Sequence, residues 1–261
     1  MSAILDGVII IGGSTVLSVG GLFLVRKKFK SETQKACHEV GGYLLAIIGS
    51  LYAILLGMIV VGSNAKVEQA AQKATVEANM LSNIAHMTKS FKSDFRSTIL
   101  SCLYEYAVEA KNQDWSKVQD GEEKEATIPA YQKLWTEIAE FTPQGVKEDQ
   151  AREHILTDMQ ELSDARRHRM VGSRSSLSPI LWTVLVVGAV MIVLFTYFFF
   201  LESLLAQVVM TSFVVIFLSL NVYLVYLCQN PYRPEFGAKE SGFGYSFTPV
   251  WFKENKEEAR K

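Results

Sequence analysis

Four long runs along the chain contain no charged residue, and most of the charged residues fall between the second and third runs. A helix needs about 20 apolar residues to cross a bilayer core of about 30 Å. Because lipid offers no hydrogen-bond partner to backbone N–H and C=O groups, a helix is the structure expected for each run. The pattern predicts an all-α integral membrane protein with four transmembrane helices, at residues 7–25, 40–65, 175–201 and 203–232.

The first run is expected to be a retained helix rather than a cleaved signal peptide. A signal peptide carries its positive charges before its apolar stretch, whereas here a cluster of Lys and Arg residues follows the stretch. A soluble protein with buried core helices is the other alternative, and it does not suit four such runs in one chain.

The spacing of the runs predicts a two-plus-two arrangement. Only Glu202 separates the third run from the fourth, which indicates a helical hairpin that turns near residues 201–203. A long polar insertion separates the second run from the third, so the N-terminus, the insertion and the C-terminal tail are expected on one side of the membrane. The predicted domains are membrane helices 1 and 2 (1–65), an aqueous helical domain (66–174), the membrane hairpin (175–230) and an aromatic, charged tail (231–261).

Charge in the short loops predicts the orientation. The loop after the first run is rich in Lys and Arg, at Arg26, Lys27, Lys28, Lys30 and Lys35. Positive charge in short loops stays on the cytoplasmic side, and long domains have little weight. The insertion is therefore expected outside the cytoplasm. Arginines that flank the third run on the insertion side favour the opposite orientation; they are Arg166, Arg167, Arg169 and Arg174.

The insertion is expected to be a helical bundle. Apolar residues at alternating spacings of four and three continue the second run as a helix face, at Val67, Ala71, Ala74, Ala78, Leu81 and Ala85. Ser93 and Asp94 are suited to cap a second helix, Pro129 to begin a third after a charged loop at 121–127, and Lys147 lies near the start of a fourth.

No catalytic or metal chemistry can be assembled from the sequence, which predicts a protein that is not an enzyme and has no cofactor. His154, Asp158 and Glu161 share a helix face, a pattern more typical of a solvated surface than of a metal site. The cysteines at 37, 102 and 228 lack a CxxC spacing. The net charge of −1 gives no reason to expect a nucleic-acid partner.

Small residues in the first two runs predict close helix packing. The second run has a ladder at Gly49, Ala53 and Gly57, and the first has a looser one at Ser14, Ser18 and Gly21. Small side chains let helix backbones approach closely in lipid, either within one chain or between chains. A homo-oligomer and a different membrane-protein partner both remain open.

A heptad of branched apolar residues, Ile47, Ile54 and Val61, runs beside the ladder of the second run. An oligomer could use this face to line a pore with an apolar constriction, although lipid or another helix would also suit it. No Asp, Glu, Lys or Arg lies in the middle of a run, which argues against a proton relay or an ion-coupled transporter. The pore-lining candidates are Ile47, Ser50, Ile54, Met58 and Val61.

Several motifs in this chain resemble the bacterial bestrophin-like family of multi-pass membrane proteins. The resemblance spans nearly the whole chain and departs from the family pattern at Tyr232 and Pro234. The motifs are the stretch 38–49, the stretch 52–57, Glu77-Ala78-Asn79 with Leu81, Tyr106 ahead of Trp115, the stretch 164–169 ahead of Pro179-Ile180-Leu181-Trp182, and Asn230-Pro231-Tyr232.

The resemblance implies a bacterial inner-membrane protein and, by analogy with bestrophins, an oligomeric anion channel. Bestrophins are similar in having an apolar neck formed by the second membrane helix, and Arg166, Arg167 and Arg169 would then attract anions to the pore mouth. Bestrophins keep their helical domain in the cytoplasm, which conflicts with the charge-based orientation. A non-catalytic accessory or scaffold subunit of a larger membrane complex is the second hypothesis. A ligand sensor is the third hypothesis. A sensor would need a cytoplasmic output domain, and only a short loop is expected on that side.

Overall fold

The computed structural model describes residues 3–28, 38–112, 115, 127–172, 177–199, 201 and 203–244. Within these residues the chain is all-α and contains no β-strand. The helices are α1 (Ala3–Lys28), α2 (His38–Met87), α3 (Ser93–Asn112), α4 (Thr127–Glu140), α5 (Val146–Gly172), α6 (Pro179–Tyr197), α7 (Leu204–Leu227) and α8 (Ala238–Phe243). Short 3₁₀ turns at Thr88–Ser90 and Pro234–Phe236 complete the described structure.

The chain divides into two compact units. The membrane unit consists of Met1–Asn64 and Leu177–Gln229, and the bundle unit consists of Ala65–Ser176 and Asn230–Lys261. Helix α2 contributes to both units as one uninterrupted helix of 50 residues, about 75 Å long at 1.5 Å per residue. The predicted continuation of the second run into the insertion is therefore confirmed.

Four helices, α1, α2, α6 and α7, are long and apolar enough to cross a membrane. Within the membrane unit, buried side chains of α2, α6 and α7 form a core that includes Tyr52, Leu185 and Val225. Helix α6 begins with Pro179 in its first turn, where the missing N–H breaks no helical hydrogen bond. Helix α7 ends at Leu227, ahead of Pro231, because proline cannot continue a helix.

The bundle unit packs the second half of α2 against α3, α4 and α5. Its core contains fully buried Leu81, Leu103, Leu134 and Leu162, one from each helix. The predicted starts of three insertion helices lie within two residues of the observed starts. Residues 230–244, which we call the C-terminal segment, also belong to the bundle unit. The sequence predicts a separate tail from residue 231.

The predicted fold class is confirmed: an all-α membrane protein with four transmembrane helices and a helical insertion between the second and third. Some sequence predictions fall outside the described residues. These are Lys30, Lys35, Cys37, Arg174 and Glu202, the loop at 121–126, and the tail beyond residue 244.

Candidate functional site: an open face of α2 and a buried ion pair

The apolar stripe of α2 faces away from the other described helices of the membrane unit. Four of its side chains are exposed, at 58% for Ile47, 63% for Ile54, 72% for Met58 and 70% for Val61. Ser50 is also exposed, but its hydroxyl donates to the backbone carbonyl of Ile47 at 2.9 Å. The stripe (Ile47, Ser50, Ile54, Met58 and Val61) therefore presents an almost wholly apolar surface.

The small-residue ladder of α2 (Gly49, Ala53 and Gly57) is also open. A Cβ atom added to Gly49 or Gly57 would meet no atom within 4 Å, and Ala53 is exposed. The packed face of α2 is formed instead by Tyr52, Leu56 and Ile59, each 7% exposed. Packing inside the described part of one chain thus gives no use for the ladder.

The small residues of α1 are used within the chain. Ser14 shares a 2.8 Å hydrogen bond with Ser219 of α7, and Ser18 shares one of 2.9 Å with the Tyr197 hydroxyl of α6. A Cβ atom on Gly21 would lie 3.0 Å from the same hydroxyl. Close approach at Gly21 therefore lets Tyr197 of α6 reach Ser18 of α1, and the Ser14–Ser219 bond joins α1 to α7.

Arg26 of α1 and Gln207 of α7 form a second polar contact between membrane helices. Arg26 donates to the Gln207 side chain at 2.9 Å and to the Leu201 carbonyl at 3.0 Å. Gln207 is only 3% exposed and donates in turn to the Phe199 carbonyl at 2.9 Å. These two side chains satisfy carbonyl groups that follow the end of α6, which lipid could not do.

The three candidate anion-attracting arginines have different surroundings. Arg167 is exposed, and Arg166 is half-buried with its guanidinium 4.6 Å from the centre of the Tyr131 ring. Arg169 is only 1% exposed and is paired with Glu77. This placement removes Arg169 from the anion-attracting candidates, because its charge is buried and compensated inside the bundle.

The Glu77–Arg169 pair is the centre of a buried polar cluster. The Nε atom of Arg169 donates to one carboxylate oxygen of Glu77, and a terminal nitrogen donates to the other, both at 3.1 Å. Tyr106 of α3 donates to the same carboxylate at 2.5 Å. The indole of Trp115 lies 4.8 Å from the Arg169 guanidinium. Burying a charge is costly unless it is paired and hydrogen-bonded, and both conditions are met here.

Electrostatics around Tyr106 follow from this burial. Desolvation raises the pKa of Tyr106 well above its usual range, the Glu77 carboxylate raises it further, and Arg169 lowers it. Tyr106 therefore remains a neutral hydrogen-bond donor to Glu77.

Sequence analysis missed this ion pair, although a signal was present. Glu77 lies three residues after Ala74 and four before Leu81, on the apolar face of α2. Arg169 follows Ala165 by four residues, so it continues the buried face of α5. A charged residue of each sign on an otherwise buried helix face indicates a buried pair.

The C-terminal segment packs beside this cluster. The rings of Tyr232 and Phe243 meet the Trp115 ring edge-on, with centroids 5.7 and 5.6 Å away. A Cβ atom on Gly242 would overlap the backbone carbonyl oxygen of Ala74 in α2. Glycine at 242 is thus required for the segment to lie directly on α2.

The helix face of His154, Asp158 and Glu161 was weighed as a metal site in the sequence. Among the described residues, no three His, Cys, Asp or Glu side chains are arranged to hold a metal ion. Burial is the main cause that raises the pKa of Asp158; Glu161 also raises it and His154 lowers it.

Comparison with known proteins identifies one family. The model of the Bestrophin-like domain family matches residues 12–243, which include the greater part of α1 and all of the other described helices. No curated protein and no solved structure matches the chain.

Proposed function

The chain belongs to the bestrophin-like domain family, and on that premise we propose that it is an oligomeric, non-enzymatic ion channel whose pore is lined by α2. The observation that carries the proposal is the division of α2 into three faces, of which the described part of one chain packs only one.

Helix geometry relates the three faces. With successive residues about 100° apart, the apolar stripe lies about 160° from the packed face, and the ladder lies between them, about 100° from each. In a ring of identical chains, the packed face would hold its own subunit and the ladder would receive a neighbour. The apolar stripe would then point to the axis of the ring.

A pore between chains also suits the interior of the membrane unit. Leu22 of α1, Leu185 of α6 and Val225 of α7 are 0% exposed, so side chains fill the space among these three helices. An ion would therefore need a path between copies of the chain. The membrane part of α2 carries no charged residue, and stacked apolar rings there would resist ions by excluding water.

Replacing Ile54 with Ser tests this role directly. A hydroxyl in the narrow ring would stabilise water there, so conductance of the purified protein in planar bilayers should rise. Ile9→Ser is a matched control, because Ile9 is a similarly exposed isoleucine on α1, at 55% against 63% for Ile54. An equal rise in both variants would argue against pore lining by α2. Silent bilayers for all three proteins, despite verified insertion, would favour the accessory-subunit hypothesis.

Anion preference is proposed to come from Arg166 and Arg167. Their field would raise the local anion concentration at the pore mouth. Arg167→Gln should therefore lower anion current more at low salt than at high salt, because ions screen the field. An effect that is independent of salt would contradict an electrostatic role.

The bundle unit is proposed to lie outside the cytoplasm, on the charge pattern of the loop after α1. Cys102 cannot test this, because it is 0% exposed and burial raises the pKa of its thiol. We expect Glu153→Cys, at an exposed site on α5, to react with an impermeant maleimide in intact spheroplasts. Lys28→Cys should react only after lysis. Both variants need the native cysteines replaced, and the reverse pattern would invert the orientation.

A further inference from the structure

Three tyrosines of the membrane unit share one arrangement among the residues that the structure describes. Each ring lies against a glycine of another membrane helix, and each hydroxyl donates to a backbone carbonyl three or four residues before that glycine. We call each set a tyrosine–glycine lock. The locks are Tyr52 with Gly188 and the Leu185 carbonyl, Tyr197 with Gly21 and the Ser18 carbonyl, and Tyr223 with Gly7 and the Ala3 carbonyl.

Glycine allows each tyrosine to reach the backbone of the neighbouring helix. A Cβ atom on Gly188 would lie 2.5 Å from the Tyr52 ring, and one on Gly7 would lie 2.7 Å from the Tyr223 ring. A backbone carbonyl oxygen has two lone pairs, so it can accept the hydroxyl in addition to its helical N–H. Close packing at small residues and interhelical hydrogen bonds both hold helices together in lipid, and each lock provides both interactions.

The locks are distributed unequally among the four membrane helices. Tyr197 joins α6 to α1, Tyr223 joins α7 to α1, and the bonds of Ser14 and Arg26 tie α1 to α7 again. Within the described residues, the 3.0 Å bond of Tyr52 is the one side-chain hydrogen bond that joins the membrane part of α2 to another membrane helix. Helices α1, α6 and α7 therefore form a bonded frame, to which α2 is attached by a single lock and by apolar packing.

Tyr52 is placed to control the direction of the apolar stripe. It precedes Ile54 by two residues, so the two side chains lie about 160° apart around the axis of α2. A ring that is seated over Gly188 and bonded to the Leu185 carbonyl allows one rotation of the helix. Any rotation of α2 that moves the ring off Gly188 would turn the stripe through the same angle.

We propose that the lock between Tyr52 and Gly188 sets the rotation of α2 and so aims the apolar stripe. Tyr52 and Gly188 are then positioning residues for the pore, although neither lies on the stripe. The rotational role follows from contacts within the membrane unit, and its effect on conduction rests on the proposed function.

Distances between spin labels on α2 and α6 test the proposal on the full chain in lipid bilayers. Met58→Cys and Val187→Cys place the labels at exposed sites of the two helices, in a chain whose native cysteines are replaced. Dilution with unlabelled chains restricts the measured distances to one chain. We expect Tyr52→Phe, which removes only the hydroxyl, to broaden the distance distribution, and Gly188→Ala, which displaces the ring, to shift its mean.

Tyr223→Phe is the matched control, because it removes the same kind of bond from the lock between α7 and α1. It should leave the distances between α2 and α6 unchanged. Equal broadening in Tyr223→Phe and Tyr52→Phe would overturn the proposal. So would native distances in both Tyr52→Phe and Gly188→Ala.

Melting temperatures provide a second measurement on the same variants. Tyr52→Phe and Gly188→Ala break one lock, so their combined loss should be smaller than the sum of the single losses. Tyr223→Phe lies in another lock, and its loss should add to that of Gly188→Ala. Additive losses for Tyr52→Phe with Gly188→Ala would show that the two residues do not act together and would overturn the lock.

Bilayer recordings separate this proposal from the proposed function. If α2 lines a pore, the open probability should rise in Tyr52→Phe, because the apolar rings are held less firmly, and should keep its native value in Tyr223→Phe. Silent bilayers together with broadened distances in Tyr52→Phe would refute the channel and support the lock. Native conduction together with native distances in Tyr52→Phe and Gly188→Ala would refute the lock and support the channel.

Discussion

Among the residues that the structure describes, the buried polar side chains of the membrane unit are uncharged, whereas the bundle unit buries a full ion pair. The first set comprises Ser18, Ser63, Gln207 and Thr211, and the second includes Glu77 and Arg169. In the membrane unit, Ser18 and Gln207 share their bonds with one neighbouring side chain or with backbone carbonyls. The ion pair instead joins α2, α3 and α5 through one carboxylate.

The two units therefore hold their helices together by different interactions. Interhelical hydrogen bonds contribute modestly in lipid, so the membrane unit depends mostly on the packing of its apolar side chains. In the bundle unit one carboxylate accepts three bonds, and losing its partner would leave a bare charge in a dry core. The bundle should therefore be sensitive at one point, and the membrane unit tolerant at many.

The largest effect is expected when the ion pair is broken on one side. Arg169→Met should lower the free energy of unfolding by about 3–5 kcal/mol, because Glu77 would be left charged and unpaired. Combining it with Glu77→Leu should recover most of this loss. Denaturant titration in detergent, followed by circular dichroism, measures both. Lys133→Met is the control: its pair with Glu105 is half-exposed, at 3.8 Å, and should give no measurable change.

The next effect is expected at Gly242 in the C-terminal segment. Gly242→Ala should cost about 1–3 kcal/mol, because the added methyl group would overlap the backbone of Ala74, which cannot rotate away. Thermal melting of the purified protein tests this. A melting temperature equal to that of the native chain would show that the segment is not held against α2.

A smaller effect is expected at Gly188 in the membrane unit. A methyl group there would meet the ring of Tyr52, which is a side chain and can shift. Gly188→Ala should lower the melting temperature by less than Gly242→Ala does. Gly62→Ala, with no atom within 4 Å of the added Cβ, should have no such cost. A larger loss for Gly188→Ala than for Gly242→Ala would reverse the comparison of the two units.

The smallest effect is expected for a single membrane hydrogen bond. Tyr197→Phe removes the bonds between its hydroxyl and Ser18 and should cost about 0.6 kcal/mol, an average value for such bonds in membranes. Reversible unfolding in mixed micelles is sensitive enough to measure it. A loss as large as that of Arg169→Met would mean that polar bonds dominate the membrane unit as well.

The four membrane helices and the helical insertion can be read from the amino-acid sequence. Both are predicted by local features of the sequence. Long runs without charge predict membrane helices, and apolar residues at helical spacing predict helices with one buried face. The heptad of α2 was also visible, since helical spacing fixes which residues share a face. That the stripe and the ladder of α2 are both open could not be read from that spacing.

The contacts between residues far apart in the sequence become visible in the folded chain. Glu77 and Arg169 are separated by 92 positions, and helix periodicity places each on a buried face without indicating its partner. The same limit applies to Ser14 with Ser219 and to Gly242 with Ala74. Arg169 shows the consequence. In the sequence it lies beside Arg166 and Arg167, but of these three arginines only Arg169 is buried. Pairing with Glu77 compensates its charge there, because a dry core tolerates no isolated ion.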